Sequence, residues 1–380
     1  MSTLHSQFAT HEEQNSYWRM LAKILAPLVP SHKPGRILVT DGDGAVGFRV
    51  AKLLLAAGYD HTKIRIGTSE LHAIPDLAAA AEVVMFDWSG DSFHFDDVLK
   101  DINTVLCVPP DTVAERKHMT GKFAAFLKSA KKAGVKHFVK LSSYHALTKP
   151  EDPEVDFEHT DRHGDPYQRV QLVKDMGTMD EMLLHCPTMD YTILFASHLA
   201  SDPLRFQGEL LKKEHKFLGA SDGKGVNYGK TYVSKWYPLL TKWHVHLQFS
   251  QFLLPLFKPE VSPNDVAEMA VRIMLEPKDH YRTGYTVTGP ATITDNEVAE
   301  LLSKKYATPI AYEEAPLNKF SKDHADLELI KSTGWEERTS FLSQDFEDVV
   351  GHEGQTYEQF LAATEMLSPK ERLVMSQTAQ

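Results

Sequence analysis

Ile37-Leu38-Val39-Thr40-Asp41-Gly42-Asp43-Gly44-Ala45-Val46-Gly47 joins a short aliphatic run to a G-x-G-x-x-G spacing. The three aliphatic residues, bounded by Gly35 and Gly42, read as a strand buried on both faces. Val46, Val50, Leu53, Leu54 and Ala57 then recur at helical spacing, and Gly58 supplies a stop. A glycine turn between a strand and a helix is the setting in which this spacing acquires physical meaning. Gly42 permits the tight turn, Gly44 lets backbone approach a diphosphate, and Gly47 allows close helix-to-strand packing. The helix start at Ala45 and Val46 offers free N–H groups to phosphate. The plain alternative is a tight strand-to-helix turn in a fold that binds nothing.

Outward from this turn the same rhythm repeats. Strands are expected at residues 63–67, 83–86, 104–108 and 137–141, with helical segments between several of them, which implies a parallel sheet. Phe123, Phe126, Leu127 and Ala130 make one face of a crossover helix within residues 112–133, ended by Gly134. A polar loop at 148–168 precedes a helix at about 169–185 and a strand at 191–194. Ser262, Pro263 and Asp265 mark a helix start for 266–275; residues 285–288 read as a strand, and Thr294 with Glu297 forms a capping box. The expectation is an α/β protein: a Rossmann-type doubly wound parallel sheet with a smaller substrate-side α+β lobe. Its parts are an N-terminal helical extension (1–34), a dinucleotide-binding domain (35–200), a substrate-side lobe with segments returning to the core (201–365) and a flexible tail (366–380).

Composition narrows the partners. A chain of 380 residues, 42% hydrophobic and 24% charged, has ample material for a core, and its net charge of -11 disfavours nucleic acid and anionic membranes. Cys107 and Cys186 show no paired metal or redox spacing, which suits a reducing, cytoplasmic setting. The apolar stretch at 20–29 is too short and too punctuated to span a membrane.

The choice between NAD and NADP falls at the end of the second strand, where an acid would take ribose hydroxyls and an Arg an extra phosphate. Here stand Gly67, Thr68, Ser69 and Glu70. Thr68 and Ser69 can bond either group, Arg65 sits inside the strand, and Glu70 falls one position late; the lean is to NADP. Asp43 within the loop repels a diphosphate unless its side chain turns to solvent.

With these residues in place the chain resembles the NmrA-like branch of the atypical short-chain dehydrogenase/reductases. The likeness runs from the opening strand and glycine turn through residues 104–109, His137-Phe138-Val139-Lys140-Leu141-Ser142-Ser143, Asp190-Tyr191-Thr192-Ile193-Leu194, residues 261–270 and 285–290, about 35–362 in all. The resemblance implies Asp87 near an adenine, Val108 and Pro109 lining the nicotinamide side, and Ser142, Ser143 and Tyr144 facing substrate. It also implies Lys174, in Lys174-Asp175-Met176-Gly177-Thr178-Met179-Asp180, as the active-site ammonium. An ammonium beside the nicotinamide ribose holds cofactor and favours charge developing on a reduced carbonyl oxygen; without the resemblance, Lys174 reads as part of a solvated helix face. Two family features are replaced: Phe195-Ala196 stand where an Arg-Pro pair is usual, and Ser69 where an Arg is usual. Nor is there a Tyr-x-x-x-Lys pair, Tyr167 lying seven residues before Lys174.

Other groups admit two readings each. Tyr144 and His145 can donate a proton or merely pack. His159, Asp161 and His163 lack a further matched ligand, so no metal is expected. Trp236, Trp243, Phe249, Phe252, Leu253 and Phe257 form a pocket roof, a partner surface or plain core. Residues 219–229 read as a glycine-rich loop. The functional expectation is an NAD(P)H-dependent reductase passing hydride to a small carbonyl, quinone or enone. The alternatives are a catalytically silent redox-sensing regulator, with a protein partner or as a homodimer, and a structural subunit of a larger assembly.

Overall fold

Ile37, Leu38 and Val39 are all buried, and they form the central strand of the sheet as their unbroken apolar run requires. The computed structural model describes residues 20–29, 35–88, 95–110, 116–147, 171–220, 258–321, 324–325, 328, 342–363 and 368–371. Seven strands make the main sheet: β1 (Ile37–Val39), β2 (Ile64–Thr68), β3 (Glu82–Met85), β4 (Thr104–Cys107), β5 (His137–Ser143), β6 (Asp190–Ala196) and β10 (Thr283–Val287). Their order is β10-β6-β5-β4-β1-β2-β3, and every neighbouring pair is parallel. This is the doubly wound order, whose direction reverses between β1 and β4 and opens a crevice at the strands' carboxyl ends.

Helices cover both faces. α1 (Ala45–Ala56) buries Val46, Phe48, Val50, Leu53 and Leu54, each contributing about 1.5–3 kcal/mol of burial, and packs beside α5 (Pro263–Leu275). On the opposite face lie α2 (Met119–Ala133) and α3 (Gln171–Leu184). The crossover helix expected within 112–133 begins at Met119, because His118 takes a left-handed conformation (φ 60°), and it closes on left-handed Gly134 (φ 79°). Phe86, Trp88, Phe95 and Phe126 pack edge to face beneath it, with Phe86 and Trp88 centroids 4.8 Å apart, and so anchor the chain around Asp87.

Smaller sheets complete the lobe. β7 (His198–Leu199), β9 (Lys258–Val261) and β11 (Thr292–Ile293) form one, and β8 (Lys216–Gly219) with β12 (Ala311–Glu314) another. Between them α4 (Asp202–Lys213), α6 (Asp295–Tyr306) and a helix α8 (Tyr357–Ala362) share a core of Leu204, Leu211, Phe217, Leu302 and Phe360. Both expected helix starts are present: Ser262 accepts from Asn264 N–H, and Thr294 and Glu297 form the capping box. α7 (Asp345–Val350) packs on α5.

Stretches near both ends of the chain reach the core. Leu21 and Leu25 are fully buried and join the α1–α5 core. Residues 368–371, within the stretch expected to fray, form a docked turn in which Ser368 and Glu371 are fully buried. The reason lies on α1: Arg49 is itself fully buried, bonds Asn264 Oδ1 (2.7 Å) and the Ala45 carbonyl (2.6 Å), and takes Glu371 as counter-charge at 2.8 Å. The loop at 148–168, the aromatic stretch at 235–257 and residues 221–229 lie outside the described residues.

At the amino end of β5, buried His137 meets Thr192 Oγ1 at 2.9 Å through Nε2. The Thr192 hydroxyl proton is committed to the His280 carbonyl (2.6 Å), so His137 Nε2 must be the donor and Nδ1 is left buried with no hydrogen-bond partner among the described residues. Burial, and then His280, push the His137 pKa down to about 4. A folded value below the unfolded one means that His137's contribution is intact above pH 6.5 and is lost as pH falls toward 4. Chemical unfolding of wild type and His137→Gln across this range is expected to show wild type losing stability relative to the variant on acidification; parallel pH curves would show that His137 carries no linkage.

Candidate functional site

The glycine turn sits at the reversal between β1 and β4, and Thr40 joins the two sides. Its N–H donates to the Leu106 carbonyl (3.0 Å) and its Oγ1 accepts from Val108 N–H (2.8 Å). Val108 and Pro109 are buried against it. A Cβ on Gly47 would stand 2.2 Å from the Thr40 carbonyl oxygen, so only glycine lets α1 come this close to the end of β1. Gly42 is likewise crowded by Ile66, at 2.3 Å from its would-be Cβ. At Gly44 the obstruction is a side chain: a Cβ would meet Asp41 Oδ2 at 1.8 Å. Asp41 holds a left-handed backbone (φ 57°) and closes the turn by accepting from Gly44 N–H (2.9 Å).

The helix that follows has no side-chain cap on Gly44 and no acid in its first turn, so Ala45, Val46 and Gly47 open it with N–H groups suited to an anion. Those features fit a dinucleotide diphosphate. Asp43 is 2% exposed and so is not turned to solvent, the one orientation that would spare a diphosphate its charge. Its Oδ2 accepts from Ser69 Oγ (3.3 Å) and lies 3.5 Å from Lys370 Nζ, while its buried Oδ1 has no hydrogen-bond partner among the described residues. Lys370 Nζ also reaches Asp41 Oδ1 at 3.2 Å, and its N–H donates to the Asp43 carbonyl (3.3 Å). Ser69 is thereby tied to the glycine loop. Thr68 Oγ1 is engaged by the backbone of Glu70, and Arg65 is held by Glu82 and the carbonyls of residues 97, 98 and 100.

A second polar centre lies at the carboxyl end of β5. Lys140, fully buried, donates to Asp180 Oδ1 at 2.6 Å, and Ser142 Oγ donates to Asp180 Oδ2 at 2.6 Å. Burial pushes the Asp180 carboxyl up, against the lowering pull of the Lys140 ammonium and the two hydrogen bonds. Cys107, on the adjacent strand, is pushed up to about 12 by burial and remains an unreactive thiol. Asp180 belongs to α3, so this ion pair pins the helix carrying Lys174 to β5. Lys174 is half-buried, roughly one and two-thirds turns before Asp180, and its carbonyl accepts from Thr178 Oγ1 (2.9 Å). α3 packs against the turn at Tyr144–Leu147. Tyr144 is buried there, which pushes its phenol well above the ordinary value. Ser143 and Asp87 are half-buried at their strand ends; the His145 side chain lies outside the described residues.

The sequence reading missed Thr40, Asp180 and Lys370. A lysine in the middle of an otherwise apolar buried strand was the available signal for a hidden carboxylate, though nothing in the spacing names Asp180. No signal pointed from the glycine loop to Lys370. Among the described residues there is no cluster of three or more His, Cys, Asp or Glu able to hold a metal, and no helix long and apolar enough to cross a membrane.

Comparison with known proteins agrees with this geometry. Residues 42–222 match the family described as NAD(P)H-binding. An uncharacterized oxidoreductase, YesF, of Bacillus subtilis is 24% identical over 270 residues, 71% of each chain. The NADPH-dependent quinone oxidoreductase of Escherichia coli, solved with NADPH, superposes with a TM-score of 0.60 at 18% identity over 86% of this chain and 98% of its own. NmrA, a negative transcriptional regulator solved with NADP, gives 0.56 at 13% identity over 87% and 98%. Residues 42–222 are thus similar to an NAD(P)H-binding domain, on a Rossmann-type sheet. Its fold is the one shared by NmrA and the quinone oxidoreductase.

The buried ion pair yields a test. Asp180→Asn leaves the Lys140 ammonium without a counter-charge and is expected to cost about 3–5 kcal/mol in urea unfolding. Lys140→Met combined with Asp180→Asn should recover more than half of that loss. Equal loss in the single and double variants would show that the site depends on the carboxylate's packing rather than on charge.

Proposed function

We propose that this protein is an NAD(P)H-dependent reductase that transfers hydride to a small carbonyl, quinone or enone. The observation that carries the reading is the glycine turn at the β1–β4 reversal, with its uncapped α1 N-terminus and the close Gly47–Thr40 contact. The loop and helix start bind the diphosphate, Val108 and Pro109 wall the nicotinamide side, and Asp87 stands toward the adenine. Ser142 and Ser143 end β5 beside the substrate. Hydride comes from the nicotinamide when it is bound. Lys174 holds the ribose and favours negative charge on the substrate oxygen, while Tyr144 or His145 supplies the proton. NADP(H) is the cofactor we favour, because Lys370 and Ser69 meet at Asp43 near the end of β2, where an extra phosphate would be read. The resemblance to NADPH-binding reductases supports the same choice.

A second reading, a dinucleotide-sensing regulator without turnover, is favoured by the commitment of the Ser142 proton to Asp180 and the burial of Tyr144. Calorimetric titration with NADPH and NADH, followed by oxidation assays with quinones and enones, separates the two. The reductase reading expects binding, turnover, and a fall of about a hundredfold in kcat in Lys174→Ala with the melting temperature nearly unchanged. Gly44→Ala should weaken binding, since its Cβ displaces Asp41. Binding without turnover across these acceptors would favour the regulator, and absence of binding by folded protein would refute both.

A further inference from the structure

Within the reading that the glycine loop binds a pyridine dinucleotide, the loop carries an electrostatic contradiction. Asp41 and Asp43 place two carboxylates beside the position of a dianionic diphosphate, and Asp43 is buried, where water screens poorly. A ligand phosphate would face that charge at short range. The structure supplies an opposing charge from the far end of the chain: Lys370 Nζ lies 3.2 Å from Asp41 Oδ1 and 3.5 Å from Asp43 Oδ2.

This placement is built. Residues 368–371 dock by their own anchors, independent of the Lys370 side chain. Glu371 forms the fully buried pair with Arg49 of α1, and its Oε2 also accepts from Ser368 N–H at 2.6 Å. The Ser368 hydroxyl in return accepts from Glu371 N–H at 3.3 Å. Arg49 is itself fixed to Ala45, the first residue of α1, and to Asn264 at the start of α5. The docked turn is therefore tied to the helix whose N-terminus would receive the phosphate, and Lys370 sits between the two anchor residues with its backbone N–H on the Asp43 carbonyl.

We infer that Lys370 is a positioning residue of the dinucleotide site: its ammonium neutralises Asp41 and Asp43, holds the glycine loop in shape, and so allows the α1 N-terminus to take a diphosphate. The C-terminal turn is then a functional part of the cofactor site, delivered more than 300 residues after the loop it serves. Loss of the ammonium leaves two carboxylates facing the ligand, and the penalty grows with ligand charge, so NADPH suffers more than NADH.

Titration of the full chain with NADPH and NADH tests this, using wild type, Lys370→Gln, Lys370→Arg and the double variant Lys370→Gln/Asp43→Asn, with thermal melting on each. Lys370→Gln is expected to bind about tenfold more weakly, the loss being larger for NADPH. Lys370→Arg should bind near wild type, and the double variant should regain most of the affinity, which a merely structural lysine would not permit. Wild-type affinity in folded Lys370→Gln, or no recovery in the double variant, overturns the inference while leaving the dinucleotide reading intact. Failure of wild type to bind either dinucleotide removes that reading and this one together.

Discussion

The arrangement turns on one close approach, that of α1 to the carboxyl end of β1. At Gly47 the helix backbone comes so near the Thr40 carbonyl that no side chain fits between them, and this proximity aims the helix N-terminus across the crevice between β1 and β4. Thr40 then ties β1 to Val108 after β4, so the two banks of the crevice are set by a single residue. A parallel sheet leaves its strand ends open at this reversal. The short glycine turn brings the uncapped N–H groups of α1 to that opening.

Around that frame, among the described residues, two buried ion pairs each join elements distant in sequence. Lys140 and Asp180 fasten α3 to β5; Arg49 and Glu371 fasten the C-terminal turn to α1. Buried ion pairs are weak contributors to stability compared with apolar packing of the same volume, because desolvation cancels much of their attraction. Their consequence here is geometric. A helix that could slide along a purely apolar sheet is held in register by an ammonium that accepts only one location for its carboxylate. Both pairs end within a few residues of positions assigned to the dinucleotide or its substrate.

The frame was legible in the sequence because its signals are local. An aliphatic run, a glycine spacing and a 3.6-residue period each report on neighbours in the chain, and they placed β1, α1, the capped starts of α5 and α6, and the sheet strands to within a few residues. The site's electrostatics were not legible, because they are made of long-range pairs. Asp43 read as an acid that repels a diphosphate unless turned to solvent; its burial against Ser69 and Lys370 follows from the docking of residues 368–371, a polar stretch with no periodicity to announce it. Lys140 could be seen to need a partner, yet Asp180 lies forty residues away on a helix whose rotation is set by packing.

A quinone oxidoreductase and a transcriptional regulator share this architecture at similar superposition. On the proposed reductase reading, a proton must reach the reduced substrate at the end of β5. There the Ser142 proton is already engaged by Asp180, and Tyr144 is buried under α3 with its phenol held neutral. A neutral phenol is still a competent acid once its proton is aimed at a developing oxyanion, because that oxyanion's basicity far exceeds that of the ground-state carbonyl. Burial excludes water from the same place and strengthens the pull of a neighbouring ammonium. The helix that bears Lys174 is the one that Asp180 pins to β5, so on the proposed reductase reading the registry of α3 sets where the ammonium stands relative to the phenol. The Lys140–Asp180 pair thereby fixes the placement of α3, and with it of Lys174, against the end of β5.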